Sequence, residues 1–210
     1  NVAIDLLRLF AKSPHELHGT DLGSLPSDWL ARNAFDNITV VGRSPASQAK
    51  FDPVMIRELA KLGNVSIEVI GADEAKDAEQ AKRLEALAEI HRPSDAHTAI
   101  RFRFALHPVA VEGVDRATGL RVRNSEGVDE VISASSIVTA IGFGSSGDLE
   151  RDRWMAEGTS ETGRLAPGLY AAGWFRRGPR GTIPDSREEA QVLASLILAE
   201  IQPAPDRPGR

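Results

Sequence analysis

Between Gly173 and Pro184 the chain reads Gly173-Trp-Phe-Arg-Arg-Gly-Pro-Arg-Gly-Thr-Ile-Pro184, with two aromatics, three arginines and three glycines. Glycine lets a backbone approach a flat ligand closely. An indole can lie against a ring system, and the dipole of a following helix favours an electron-rich group. A plain surface turn would leave Trp174 and Phe175 exposed to no purpose, so a ligand or a partner is the favoured reading. A second candidate is Arg43, which follows the apolar run Ile38–Gly42. Where the second strand of a dinucleotide-binding unit ends, an acid suits a free ribose 2′-hydroxyl and an arginine suits a 2′-phosphate. Gly42-Arg-Ser-Pro45 contains no acid. The third is Asn1–Phe10, an amphipathic helix whose N-terminal N–H groups could hold a pyrophosphate. Taken alone, Arg43 reads first as a solvated loop arginine, and Asn1–Phe10 as a helix packed on a core.

Other chemistries find little support. His15, His18, His91, His97 and His107 have no metal-ligand spacing. Ser136, Ser145 and Ser146 lack a nucleophile-elbow sequence and an evident histidine partner. Lys82 and Arg83, with the acids around them, read as a solvated helix face. There are no cysteines, which excludes disulfides, thiolate metal sites and a redox-active Cys pair from these 210 residues. A net charge of −5 argues against a generic nucleic-acid binder. No stretch approaches the ~18 apolar residues that span a membrane, and no secretory signal opens the chain. At ~150 residues per domain the length allows one large or two small domains. Residue 1 is Asn and leads straight into an apolar pattern, so the chain is expected to be a piece of something longer.

The elements that position these residues can be read from period and punctuation. Val2, Leu6, Leu7 and Phe10 have helical spacing, ended by Pro14. A short helix is expected around Trp29, a buried parallel strand at 37–42, and a helix from Asp52-Pro53 to Gly63. A strand at 64–70 and an amphipathic helix at 73–91 follow. From 98 the period becomes two. Ile100–Phe104, Val109–Val111, Leu120–Arg123 and Val128–Ile132, with turns at 115–119 and 124–127, read as an antiparallel meander with one wet face. A buried strand is expected at 136–141, a polar surface loop at 145–165 and a short strand at 168–173. The last helix is expected to start at Pro184-Asp-Ser186, with Glu188 and Glu189 placed for capping boxes, and to carry a stripe of Val192, Leu193, Leu196, Ile197 and Ile201. Helices and strands in this order describe an α/β protein with a sheet-rich insert.

Gly168-Leu-Tyr-Ala-Ala-Gly-Trp-Phe-Arg-Arg-Gly-Pro-Arg-Gly-Thr-Ile183 resembles the signature of adrenodoxin reductase-like ferredoxin–NADP reductases, flavoenzymes with two dinucleotide-binding domains. Asn1-Val-Ala-Ile-Asp5 is similar to the end of that family's Gly-x-Gly-Asn-Val-Ala-x-Asp motif. Val40-Val-Gly-Arg43, with Gln48 and Phe51 beyond, resembles its 2′-phosphate loop, and Ile137–Phe143 the strand that returns to the flavin domain. The resemblance covers most of the chain. It implies a Rossmann-like, three-layer NADP-binding domain with an antiparallel β-meander at residues 1–137, lacking its first strand and Gly-rich turn. Residues 138–210 would be the C-terminal part of a FAD-binding domain. It further implies FAD and NADP as cofactors. Asn1 and Val2 would lie at the NADP pyrophosphate, Arg43 and Ser44 at the 2′-phosphate, and Trp174 against the flavin. The backbone of Gly181, Thr182 and Ile183 would reach the pyrimidine edge of the flavin, and Gly181 would border the nicotinamide.

The expected function is electron transfer from NADPH through FAD to ferredoxin or a similar acidic carrier, in the cytoplasm, with Arg176, Arg177 and Arg180 offering it positive charge. Such hydride transfer needs no catalytic acid–base residue, because the cofactors carry the chemistry. The missing Cys pair disfavours a thioredoxin reductase-like enzyme. Two departures from the family pattern stand out: Ser44 where a second Arg is usual, and Met55 where a Glu is expected, with Lys50 as a possible substitute cation. They leave open an NADH-preferring flavin reductase, or a non-catalytic binding module of the same fold.

Overall fold

A computed structural model describes residues 1–142, 150–157, 162–178, 181 and 183–200. The chain divides into two compact units, Asn1–Ala140 and Ile141–Arg210.

The first unit opens with α1 (Val2–Ala11), which buries Ile4 and Leu7 and leaves Val2 exposed. Pro14 ends α1 but also starts another short helix, α2 (Pro14–Leu17), since its missing N–H costs nothing in a first turn. Ser13 and Glu16 cap α2 reciprocally. After α3 (Ser24–Arg32) come β1 (Asn37–Val41), α4 (Pro53–Arg57) continued by a tight turn at Glu58–Lys61, and β2 (Val65–Ile70). The Asp52 carboxylate caps α4 by accepting the Val54 N–H at 2.8 Å. Helix α5 (Ala78–Ile90) begins later than the charged stretch suggests, because the N-cap is Asp77. β3 (Thr98–Arg103) then enters between β1 and β2, giving a parallel sheet in the order β1-β3-β2.

This corrects one expectation. Ile100–Phe104 does not open the meander; it forms the centre of the parallel sheet. Alternation reports that one face is covered, and says nothing about the direction of the neighbouring strands. Ile38, Ile100 and Ile67 lie in register on the covered face, where Ile4, Leu7, Ile56, Leu59, Leu87 and Ile90 complete one core. The next row, Thr39–Arg101–Glu68, lies on the opposite face, and Arg101 pairs there with Glu68 at 3.5 Å while both stay partly exposed. The buried residues of the helices join the covered face in one cluster. The meander proper is β4 (His107–Glu112), β5 (Gly119–Arg123) and β6 (Asp129–Ser133), antiparallel in that order. Val122 is fully buried, while Arg121 pairs with Glu112 and Arg123 with Asp129 on the other face.

The strand expected at 136–141 is not formed: these residues are irregular, with Val138 59% and Ile141 75% exposed. An apolar run becomes a strand only when a neighbour completes its ladder, and none of the named strands pairs with this one.

The second unit contains α6 (Arg151–Glu157), a β-ribbon of β7 (Arg164–Ala166) and β8 (Leu169–Tyr170), the one-turn helix α7 (Trp174–Arg177) and α8 (Ile183–Glu200). Helix α6 and β7 replace part of the loop expected at 145–165. Phe143 and Ile201 lie outside the described residues. Only Leu165, Ala171 and Leu193 are buried apolar residues among those described in this unit. No helix is long and apolar enough to cross a membrane among the described residues.

Candidate functional site

In the first unit the loop after β1 is held by its own backbone. The Gly42 N–H donates to the Arg103 carbonyl at 2.9 Å, and the Gly42 and Ser44 carbonyls accept from Leu106 and Ala105 at 3.1 and 3.0 Å. A side chain at residue 42 would press on the Phe104 ring at 3.0 Å, so glycine allows this close approach. Further along, the Asp73 carboxylate accepts the Ser47 N–H at 2.8 Å and also the Ser47 hydroxyl. Burial works against the charged form of Asp73, but these two bonds together hold its carboxyl below the usual value. Arg83, expected on a solvated face, is largely buried and donates to the Ser47 carbonyl at 3.0 Å.

The end of the same loop reaches Asn1. The Asp52 N–H donates to Asn1 Oδ1 at 2.9 Å, so the N-terminus of α1 sits beside the chain that follows β1. No side chain caps α1. Arg43 is exposed and makes no hydrogen bond or ion pair with any described residue. The structure thus brings Asn1 and the Arg43 loop to one end of the parallel sheet. It fixes the backbone at Gly42 and Ser44 and leaves the guanidinium uncommitted. That donor set is one a phosphate could use: a forked cation and helix N–H groups.

In the second unit both arginines of the turn Gly173–Gly178 pair with one buried acid. Gly173 and Gly178, at φ 62° and 71°, bracket α7. The Glu189 carboxylate, with 6% of its side-chain surface exposed, accepts the Gly173 N–H and the Arg177 Nε, both at 2.9 Å. Its other oxygen faces the Arg176 guanidinium at 3.2 Å. Arg177 also donates to the Ser186 hydroxyl at 2.8 Å. From α6, Arg151 donates to the carbonyls of Phe175 and Arg176. Trp174 stays 55% exposed. Gly181 lies so close to the Arg177 guanidinium that a side chain there would collide with it. Ile183 is exposed at the start of α8, and Thr182 lies outside the described residues.

Two corrections follow. Glu189 is no cap of α8; it binds the Trp174 turn from the second turn of that helix. Arg176 and Arg177 do not project as free cations, since both are paired with Glu189; Arg180 lies outside the described residues. Sequence reasoning missed Arg151, Asp73 and the role of Glu189. The only signal for Glu189 was an acid one turn beyond the position a capping box needs, six residues from the start of the helix.

Over almost its whole length the chain is similar to known proteins. It is 36% identical over 211 residues to cindoxin reductase of Citrobacter braakii, covering 96% of this chain and 46% of that protein. It is 28% identical to the mitochondrial NADPH:adrenodoxin oxidoreductase of Homo sapiens, covering 100% of this chain and 51% of that one. The solved structure of Mycobacterium tuberculosis FprA in complex with NADPH shares its fold, with a TM-score of 0.78 at 23% identity over 98% of this chain and 54% of that one. No protein-family model matches the chain. The chain spans about half the length of the curated relatives it matches, and corresponds to their C-terminal half.

Proposed function

The chain is homologous to the C-terminal half of adrenodoxin reductase-like ferredoxin–NADP reductases, and on that premise we propose that it is the corresponding part of a flavoenzyme. The enzyme would take electrons from NADPH through FAD to a ferredoxin-type one-electron carrier. The observation that carries this reading is Arg43: an uncommitted guanidinium on the loop after β1, whose backbone is locked to the sheet and whose far end meets Asn1 at the start of α1.

In this reading residues 1–137 form a Rossmann-like NADP-binding domain, to which the meander belongs, and residues 138–210 belong to the FAD-binding domain. The backbone at Asn1 and Val2 faces the pyrophosphate. Arg43 grips the 2′-phosphate as a two-pronged donor, with the Ser44 hydroxyl beside it. The second unit fits a flavin ring. Trp174 offers an exposed indole face, and Gly173 leaves backbone unobstructed by side chains. The resemblance assigns the pyrimidine edge to the backbone of Gly181, Thr182 and Ile183, of which Thr182 lies outside the described residues. Bound FAD would supply the conversion of a two-electron donor into single-electron steps. The residues of this chain bind and orient, and none is needed as an acid or base. Because Arg176 and Arg177 are turned inward, attraction of an acidic carrier falls to other cations, and a rate that drops steeply with salt would reveal it.

The test is the ratio of kcat/KM for NADPH over NADH in the intact protein. A ratio well above one that collapses in Arg43→Ala supports the reading, and a ratio below one overturns the NADP assignment. An intact protein that is colourless and cannot be reconstituted with FAD overturns the flavoenzyme altogether.

A further inference from the structure

A buried carboxylate organises the polar cluster behind Trp174. One carboxylate serves three partners there: the Gly173 N–H, Arg177 and Arg176. Gly173 has φ 62°, a conformation that glycine adopts without steric cost and other residues rarely take. The N–H that this conformation turns inward is the one Glu189 binds. At the other end of α7, Arg151 takes the carbonyls of Phe175 and Arg176. So both faces of the turn's backbone are tied to side chains from α6 and α8. Few apolar contacts could do the same work, because Leu165, Ala171 and Leu193 are the only buried apolar residues described in this unit.

The charges matter as much as the bonds. Arg176 and Arg177 each have only 20% of their side-chain surface exposed, against the 6% of Glu189. Two poorly hydrated cations with no anion would repel each other and whatever positive charge lies near. Asp185 and Glu188 line the same pocket as the two arginines, but Glu189 is the buried acid among them, and it lowers the positive charge that the turn presents to anything stacked on Trp174.

We propose that Glu189 is a positioning residue that holds the Gly173–Gly178 turn in its ligand-ready shape and offsets one of the two positive charges of its arginines, so that a flavin stacked on Trp174 meets a turn of lower positive charge. The flavin half of this statement rests on the function proposed above; the positioning half stands on the network alone. Glu189→Gln separates the two effects, because the amide keeps a carbonyl for the Gly173 N–H and loses the charge. Glu189→Ala removes both. The exposed neighbour Glu188, which lines the same pocket as the two arginines, supplies the control Glu188→Gln, which removes an equal charge but no bond to the turn.

The experiment uses the intact protein in two assays. In the first, limited trypsin digestion without added cofactor reads cleavage after Arg176 and Arg177, which requires the turn to open locally. Glu189→Ala is expected to be cut at least tenfold faster than wild type, with Glu189→Gln between them and Glu188→Gln unchanged. In the second, the potential of bound flavin is measured. Glu189→Gln is expected to favour the reduced, more anionic flavin about tenfold, which is about 30 mV upward for a two-electron couple. Equal cleavage of wild type and Glu189→Ala overturns the proposal, and so does a potential that Glu188→Gln moves as far as Glu189→Gln. If Glu189→Ala does not fold by circular dichroism, cleavage of Glu189→Gln decides. A protein that binds no FAD sinks the functional reading instead, and the cleavage assay still decides whether Glu189 holds the turn.

Discussion

The loop after β1 and the turn before α8 are pinned by the same device. In each, a carboxylate accepts one backbone N–H and one side-chain donor: Asp73 from Ser47 twice over, Glu189 from Gly173 and Arg177. They differ in what the device does to charge. Asp73 is bound by a neutral serine, and Arg43 nearby is left uncommitted. Glu189 is bound by cations and absorbs them. The first site is arranged to recognise charge in a ligand, and the second to remove charge from beside one. Their surroundings differ in the same direction. The first unit has one apolar core running from Ile4 to Phe104, while the second buries Leu165, Ala171 and Leu193 among its described residues. Where the core is thin, ion pairs take over the work of fixing shape.

The largest test of that contrast is in the cores. Phe102, fully buried at the centre of the parallel sheet, is expected to cost ~3–5 kcal/mol on replacement by Ala, the range for large core aromatics. Leu193→Ala in α8 is expected to cost less than ~2 kcal/mol, below the usual range for a buried leucine, because the apolar cluster described around it is small. Urea denaturation of both variants gives the two costs. Equal losses would mean that the second unit has a core after all, and the contrast would fall.

This division also explains what could be read from the sequence. Asp52-Pro53 announced α4, and Asn37–Gly42 announced β1, because caps and short apolar runs act locally. Ile100–Phe104 misled because its alternation is equally true of a central parallel strand with one covered face. Ile137 and Val138 misled because strand pairing is a property of two segments, and only one was on view. Arg43, Trp174 and Gly181 could be nominated from motif and residue type. Glu189, Arg151 and Asp73 could not, since each acts on backbone groups that only the tertiary fold brings to it. The helix pattern of α8 concealed Glu189, because an acid early in a helix is ordinarily a cap or a solvated side chain.

The next largest effect is expected at the charge-recognising site. Arg43→Ala should lower kcat/KM for NADPH about 10- to 100-fold, the loss of one charge-assisted hydrogen-bonding group worth ~1.5–3 kcal/mol. With NADH the change should stay within about twofold, since no 2′-phosphate is there to be gripped. Equal losses with both nucleotides would place Arg43 in the structure of the loop and not in recognition, and would erase the difference drawn between the two sites.

The Asp73 anchor yields a smaller, pH-dependent effect. Its carboxyl is held below the ordinary ~3.9 of an aspartate. A lowered value in the folded state means stability that is present above the unfolded value and is lost as pH falls through the folded one. The gap in urea midpoint between wild type and Asp73→Asn should therefore be constant from pH 7 to pH 5 and close only below about pH 4. A gap that widens on acidification would show that Asp73 is not held as the anion, and the parallel with Glu189 would be lost.

The smallest effect is the most discriminating, because it compares one kind of pair in two settings. Arg57 binds Glu89 through Nε at 2.6 Å and lies 3.5 Å from Glu85, in geometry as good as that of Arg177 with Glu189. Its hydrogen bond to Glu89 raises the affinity of Arg57 for its proton and lowers that of Glu89. Yet all three side chains are well exposed, water competes for each of them, and a full core lies beneath. Arg57→Ala should leave the urea midpoint unchanged within error. Arg177→Ala should expose the Trp174 turn to trypsin after Arg176 as Glu189→Ala does, since the same bond is there the buried link between turn and helix. A clear loss of stability in Arg57→Ala would mean that pair geometry, not burial over a thin core, decides where ion pairs matter in this chain.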